Sequence, residues 1–215
     1  VASYKSWLSE SCGWVLVELI RPLGPTNSTR PPWADDALSW VFDQLQSLPS
    51  FSPETLALLL TLMQMIPSLS MASHRMIPPF KQANPLAPAN LPALASILRE
   101  ATPMHWNSDT PAPKAGTWTA HLPFVWDMVL DLYLGKPHDK NLQGDHDLDD
   151  MSSEHQALLK GAAPFPDFFR VVVDESLFAT QASPERKSWG FQVLHRTLPR
   201  ASADVLPFLF TPNLM

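Results

Sequence analysis

The chain has 215 residues, 45% of them hydrophobic and 17% charged, a globular composition that excludes an intrinsically disordered polypeptide. Its net charge of −6 argues against a freestanding phosphate-gripping domain, which carries a basic excess. A single cysteine, Cys12, rules out an internal disulfide and fits a reducing compartment, cytosol or nucleus.

The first helix is predicted from about Ser3 to Arg21. Leu8, Cys12, Val15, Leu16, Leu19 and Ile20 repeat at three-and-four spacing, the helical period, which makes Cys12 a small buried apolar residue rather than a nucleophile. Pro22 and Gly24-Pro25 end it. A second helix runs from near Pro32 to Gln46, with Asp35 and Asp36 at its positive end and Leu38, Val41, Phe42 and Leu45 on its inner face. Ser52-Pro53-Glu54 opens a third, because serine caps free N–H groups, proline suits the first helical position and glutamate favours the dipole. Nearly every position from Leu56 to Ile66 is apolar, as in a central helix buried on several sides. Thr61 and Gln64 interrupt that run, and no stretch reaches the ~18 apolar residues of a membrane span. No membrane partner is expected.

From Pro67 to Pro92 prolines break the pattern repeatedly. Asn90 is predicted to cap a short helix through Glu100. A polar loop over 102–119 precedes a stripe of Leu122, Val125, Trp126, Val129, Leu130 and Tyr133. Phe165, Phe168, Phe169, Val172, Val173 and Leu177 form the next stripe, so the β-branched Val171-Val172-Val173 is read as helix, not strand. Ser183-Pro184-Glu185 repeats the start signal seen at Ser52 and opens a helix using Gly190, Val193, Leu194, Thr197 and Leu198, ended by Pro199. A short helix over 203–210 closes the chain. The 23 prolines thus punctuate many short helices. The fold class expected is all-α, an irregular HEAT- or armadillo-like α-solenoid. Residues 1–134 and 154–215 would form one solenoid interrupted by an acidic flexible insertion at 135–153. A start without Met or a signal pattern reads as a piece of a longer protein.

The chemistry-bearing candidates are few. Gly144-Asp145-His146-Asp147 holds aspartates two apart, a spacing that suits divalent metals in phosphoryl transfer when a strand or tight turn fixes them. The flanks carry no strand pattern, and the alternative is a solvated acidic loop. His138, His146 and His155, in or beside the same stretch, could bind zinc loosely but lack a fixed shell to orient them as a functional site. His74, His105, His121 and His195 are scattered, with no nucleophile elbow to serve. No catalytic, cofactor-binding or metal residue is assigned. Arg186, Lys187, Arg196 and Arg200 are the densest basic group. Their role is nucleic-acid or partner contact, or ordinary surface charge balanced by Asp174, Glu175, Glu185 and Asp204. The tryptophans are spaced mostly for buried helical faces.

Several strings are more specific than helical patterning. They are Trp7 with Glu10-Ser11-Cys12-Gly13-Trp14, Asn84-Pro85-Leu86 with Leu94 to Glu100, and Trp118 and Leu122 with Phe124-Val125-Trp126-Asp127. The longest is the block from Val173 to Gln192, including Ser183-Pro184-Glu185-Arg186-Lys187-Ser188-Trp189-Gly190-Phe191-Gln192. The wording resembles the eukaryotic DNA polymerase phi family, which includes fungal DNA polymerase V and animal Myb-binding protein 1A. The resemblance implies a large helical-repeat protein of the nucleus and nucleolus. It implies work in ribosomal RNA production and ribosome assembly, with ribosome-assembly or rDNA-associated proteins as partners and nucleic-acid contact mainly through regions outside this chain. It transfers no active-site residues, no cofactor and no metal. The alternatives it carries are a nucleotidyltransferase using Asp145 and Asp147, and a transcription co-regulator that binds an activator peptide.

Overall fold

A computed structural model describes residues 2–23, 31–48, 51–66, 77–100, 124–135 and 158–214. Among these residues every regular element is helical, which meets the all-α expectation. The elements are α1 (Ala2–Ile20), α2 (Pro32–Gln46), α3 (Pro53–Met65), α4 (Leu91–Glu100), α5 (Phe124–Leu134), a composite α6, and α7 (Pro184–Thr197). Short 3-10 turns lie at Arg21–Leu23, Pro88–Asn90 and Leu206–Leu209. The acidic insertion expected at 135–153 lies outside the described residues except for Gly135, which ends α5 with φ 78°, a conformation glycine adopts at no steric cost.

Helix α3 sits at the centre, packed against α1, α2, α4 and α5. Its start follows the predicted chemistry. The Ser52 hydroxyl accepts from the Thr55 N–H at 3.1 Å, and the Thr55 hydroxyl accepts from the Ser52 N–H at 3.4 Å, so a reciprocal capping box closes the first turn. Residues Thr55 to Met63 are all buried, as the all-round apolar run requires. The stripe of α2 is likewise buried at Leu38, Val41, Phe42 and Leu45.

The stripe expected on α1 holds at Ile20, which is buried, and at Leu16, which packs partly buried against the core, but not at three of its other positions. Val15 and Leu19 are 59% and 63% exposed, and Cys12 is exposed rather than buried. The inner face is Gly13, Val17 and Ile20. A Cβ at Gly13 would lie 2.7 Å from Leu58 and 3.0 Å from Val41. The missing side chain is what lets α1 settle onto α2 and α3 along that face.

Helix α6 begins as an α-turn (Phe165–Phe168), widens into a π-helix (Phe169–Asp174) and closes at Glu175–Leu177. The valine run is helical as predicted but wound wider than an α-helix; β-branched side chains crowd an ordinary α-turn. Phe165, Phe168, Phe169, Val172, Val173 and Leu177 are all buried. Tyr133 of α5 stacks on Phe168 with ring centres 4.7 Å apart.

Helix α7 starts at Ser183, whose hydroxyl accepts from the Arg186 N–H at 3.3 Å, the predicted cap. Its buried face is Trp189, Gly190, Val193 and Thr197. Leu198, expected on that face, is exposed. The helix expected over 203–210 is a single 3-10 turn, Leu206–Leu209. Buried side chains from Val17 to Leu209 belong to one continuous apolar core.

Candidate functional site

Three polar joints hold the helices and loops in register. The first joins α5 to α7. Asp127 and Asp131 lie four residues apart on α5 and face the same way. Arg196 of α7 pairs with Asp127. Arg200 reaches Asp131 Oδ1 through Nε at 2.7 Å and Asp127 Oδ1 through Nη2 at 3.2 Å. Its Nη1 also donates to the Arg196 carbonyl at 2.6 Å. Pro199 does not separate the two arginines: the Arg200 N–H donates to the Thr197 carbonyl at 3.0 Å, and the turn folds Arg200 back under the helix end.

This divides the basic group expected to meet nucleic acid or a partner. Arg200, 7% exposed, and Arg196, 31% exposed, are both paired with acids of α5. Arg186 and Lys187 are half-buried in the first turn of α7, roughly 15 Å away at 1.5 Å per residue. The four do not form one patch. The acids expected to balance them are also used elsewhere. Glu175 pairs with Arg170. Glu185 is held below the usual carboxylate range by its backbone hydrogen bond and by Ser183, and Asp204 by Ser202 and its backbone.

The second joint is Asp174, 2% exposed at the end of the π-helix. It accepts from the Thr211 hydroxyl at 2.5 Å and from Asn213 Nδ2 at 3.0 Å. That bond pair ties the last described residues to α6, a role sequence reasoning missed because the partners stand almost forty positions apart.

The third joint is the loop before α4. Asn90 does not cap α4 as predicted. Its side chain is fully buried and turns back on the loop. Oδ1 accepts from the N–H groups of Lys81 and Gln82, and Nδ2 donates to the carbonyls of Gln82 and Asn84. Asn84 carries the fold onward. Its Nδ2 donates to the Leu158 carbonyl at 2.7 Å while its Oδ1 accepts from the Leu86 N–H at 2.9 Å. Leu86 O accepts from the Ala163 N–H at 2.7 Å. The Asn84-Pro85-Leu86 string thus has a physical reason: it docks the loop onto the segment entering α6.

Asp145, Asp147, His138, His146 and His155 lie outside the described residues, as do His74, His105 and His121. Among the described residues no three His, Cys, Asp or Glu side chains gather as a metal site, and no helix is long and apolar enough to cross a membrane. The tryptophans divide. Trp126 and Trp189 are buried as expected, but Trp33 and Trp40 stand out from α2, 56% and 50% exposed.

The fold and its joints define an all-helical unit locked together by buried amide and carboxylate hydrogen bonds. A family model described as DNA polymerase phi matches residues 1–215, and the chain belongs to that family. It is similar to the "rDNA transcriptional regulator pol5" of Schizosaccharomyces pombe, 27% identical over 212 residues. It is also similar to the "rDNA transcriptional regulator POL5" of Saccharomyces cerevisiae, 26% identical over 224 residues. The matches cover 98% and 100% of this chain but 19% and 21% of those relatives, so the chain spans about a fifth of their length. No solved structure matches it.

Proposed function

We propose that this chain is a helical scaffold segment of a nuclear regulator of rDNA transcription, acting in the nucleolus in ribosomal RNA production and ribosome assembly. The observation that carries this reading is the match of the whole chain to relatives named as rDNA transcriptional regulators. The helical packing supports it. Helices gathered round α3 leave outward faces for docking other proteins, and we read the arrangement as a segment of an irregular α-solenoid. Arg186 and Lys187 are the members of the basic group proposed for partner contact, since Arg196 and Arg200 are engaged with Asp127 and Asp131. The test is affinity capture of the tagged protein from nuclear extract, with and without nuclease. The reading expects rDNA-associated or ribosome-assembly proteins in both eluates; their absence from both overturns it.

The family description supplies a second reading, template-directed nucleotide addition with Asp145 and Asp147 holding a divalent ion. It predicts primer extension that Asp145→Asn with Asp147→Asn abolishes. Extension that is absent, or unchanged by the pair, ends it.

A further inference from the structure

The solvent face of α2 carries a pattern that core packing does not explain. Trp33, Asp36, Trp40 and Asp43 follow one another at steps of three, four and three residues, and all four are exposed. They form one ridge along the helix, about 15 Å long at 1.5 Å per residue. Neither acid has an ion-pair partner among the described residues. The opposite face of α2, with Leu38, Val41, Phe42 and Leu45, is the one committed to the core.

The alternation limits what can cover the ridge. An apolar helix laid on Trp33 and Trp40 would desolvate Asp36 and Asp43 without partners, which is costly. A second copy meeting this face across a two-fold axis would bring acids against acids. RNA or DNA could stack bases on the tryptophans, but its phosphates would meet two carboxylates on a chain of net charge −6. A cationic segment satisfies both residue types at once. Arginine fits better than lysine: its planar guanidinium stacks on indole and forms paired hydrogen bonds to carboxylates. Asp36 and Asp43 lie about 10 Å apart along the helix. An extended peptide covers that distance in about three residues.

We propose that the Trp33–Asp36–Trp40–Asp43 ridge is a docking site for an extended, arginine-rich protein segment with arginines near every third position. This site does not depend on the rDNA reading above. It is tested with purified protein, so its failure leaves the capture experiment untouched.

The probe is a fluorescein-labelled twelve-residue peptide with arginine at every third position and glycine between, read by anisotropy. The controls are its glutamate counterpart and a twelve-nucleotide oligouridine. Trp33→Ala with Trp40→Ala and, separately, Asp36→Asn with Asp43→Asn are the variants, checked by circular dichroism; both pairs sit on exposed positions. The expected result is saturable binding of the arginine peptide, weakened about tenfold or more by either pair and weakened by added salt. Absent binding, affinity unchanged in either folded pair, or tighter binding of the oligouridine would each overturn the proposal. So would concentration-dependent self-association in sedimentation that the tryptophan pair abolishes, which would assign the ridge to a second copy.

Discussion

Gly190 faces the Phe178 ring so closely that a Cβ there would lie 2.5–2.9 Å from three ring carbons. Since Phe178 is itself buried, the ring has little room to retreat. Gly190→Ala is expected to cost about 1–3 kcal/mol, lowering the melting temperature by about 2–4 °C per kcal/mol in a chain of this size. A variant that melts with the wild type would show that the ring moves freely. Arg200 raises a different question, because it is buried while Asp127 and Asp131 are about a third exposed. Replacing it by Leu should cost about 1–3 kcal/mol, between the values for exposed and buried pairs. A double-mutant cycle with Asp131→Asn measures the coupling, and additive costs would remove the joint from the account. Tyr133 gives a pH signature. Burial pushes its phenol up, so the folded chain keeps a proton that the unfolded chain sheds above about pH 10. Its contribution is intact below that pH and is lost as the pH rises further. Denaturant melts at pH 8 and pH 11 should show a smaller alkaline loss in Tyr133→Phe than in wild type.

At the scale of elements, what was legible in the sequence depended on contrast. Ser52 and Ser183 mark helix starts because serine followed by proline and glutamate leaves few other conformations, and both caps form. The face of α2 was readable because Asp35, Asp36, Ser39, Asp43 and Gln44 set its apolar stripe apart. Helix α1 lacks that contrast: Trp14 through Val17 is apolar on every side, and only a neighbour decides which face is covered. Here Gly13 decided it by permitting close approach to Leu58, which no periodicity displays. Asn90 misled for a related reason. An asparagine ahead of a helix is ordinarily a cap, yet its four hydrogen bonds run back to residues 81–84, and chemistry alone does not distinguish the two directions. Asn90→Ala strands those buried backbone groups and should cost about 2–3 kcal/mol. Amide exchange at Lys81 and Gln82 should quicken while α3 stays protected. Protection unchanged at both amides would mean that the loop holds without the side chain.

Across the whole molecule, the all-helical class followed from periodicity and proline placement, and the family from a few strings of residues. The joints that give those strings meaning did not, because Asp127 with Arg200, Asn84 with Leu158 and Asp174 with Thr211 are each separated by dozens of residues. The basic group shows the consequence. Four cations close in sequence suggested a contact surface, whereas folding paired two of them, Arg196 and the buried Arg200, with acids contributed by α5. The aromatic and acidic ridge of α2 was concealed in the same way, since Trp33 and Trp40 carry the residue type most often assigned to a core.

This chain is proposed to work through the surfaces its packed helices present. Pulse-labelling of precursor ribosomal RNA tests that most directly, in cells whose only copy of the protein carries Trp33→Ala with Trp40→Ala or Asp145→Asn with Asp147→Asn. The prediction is a fall in labelling with the tryptophan pair, at normal protein level, and none with the aspartate pair. Undiminished labelling with the tryptophan pair, together with a loss confined to the aspartate pair, would contradict it.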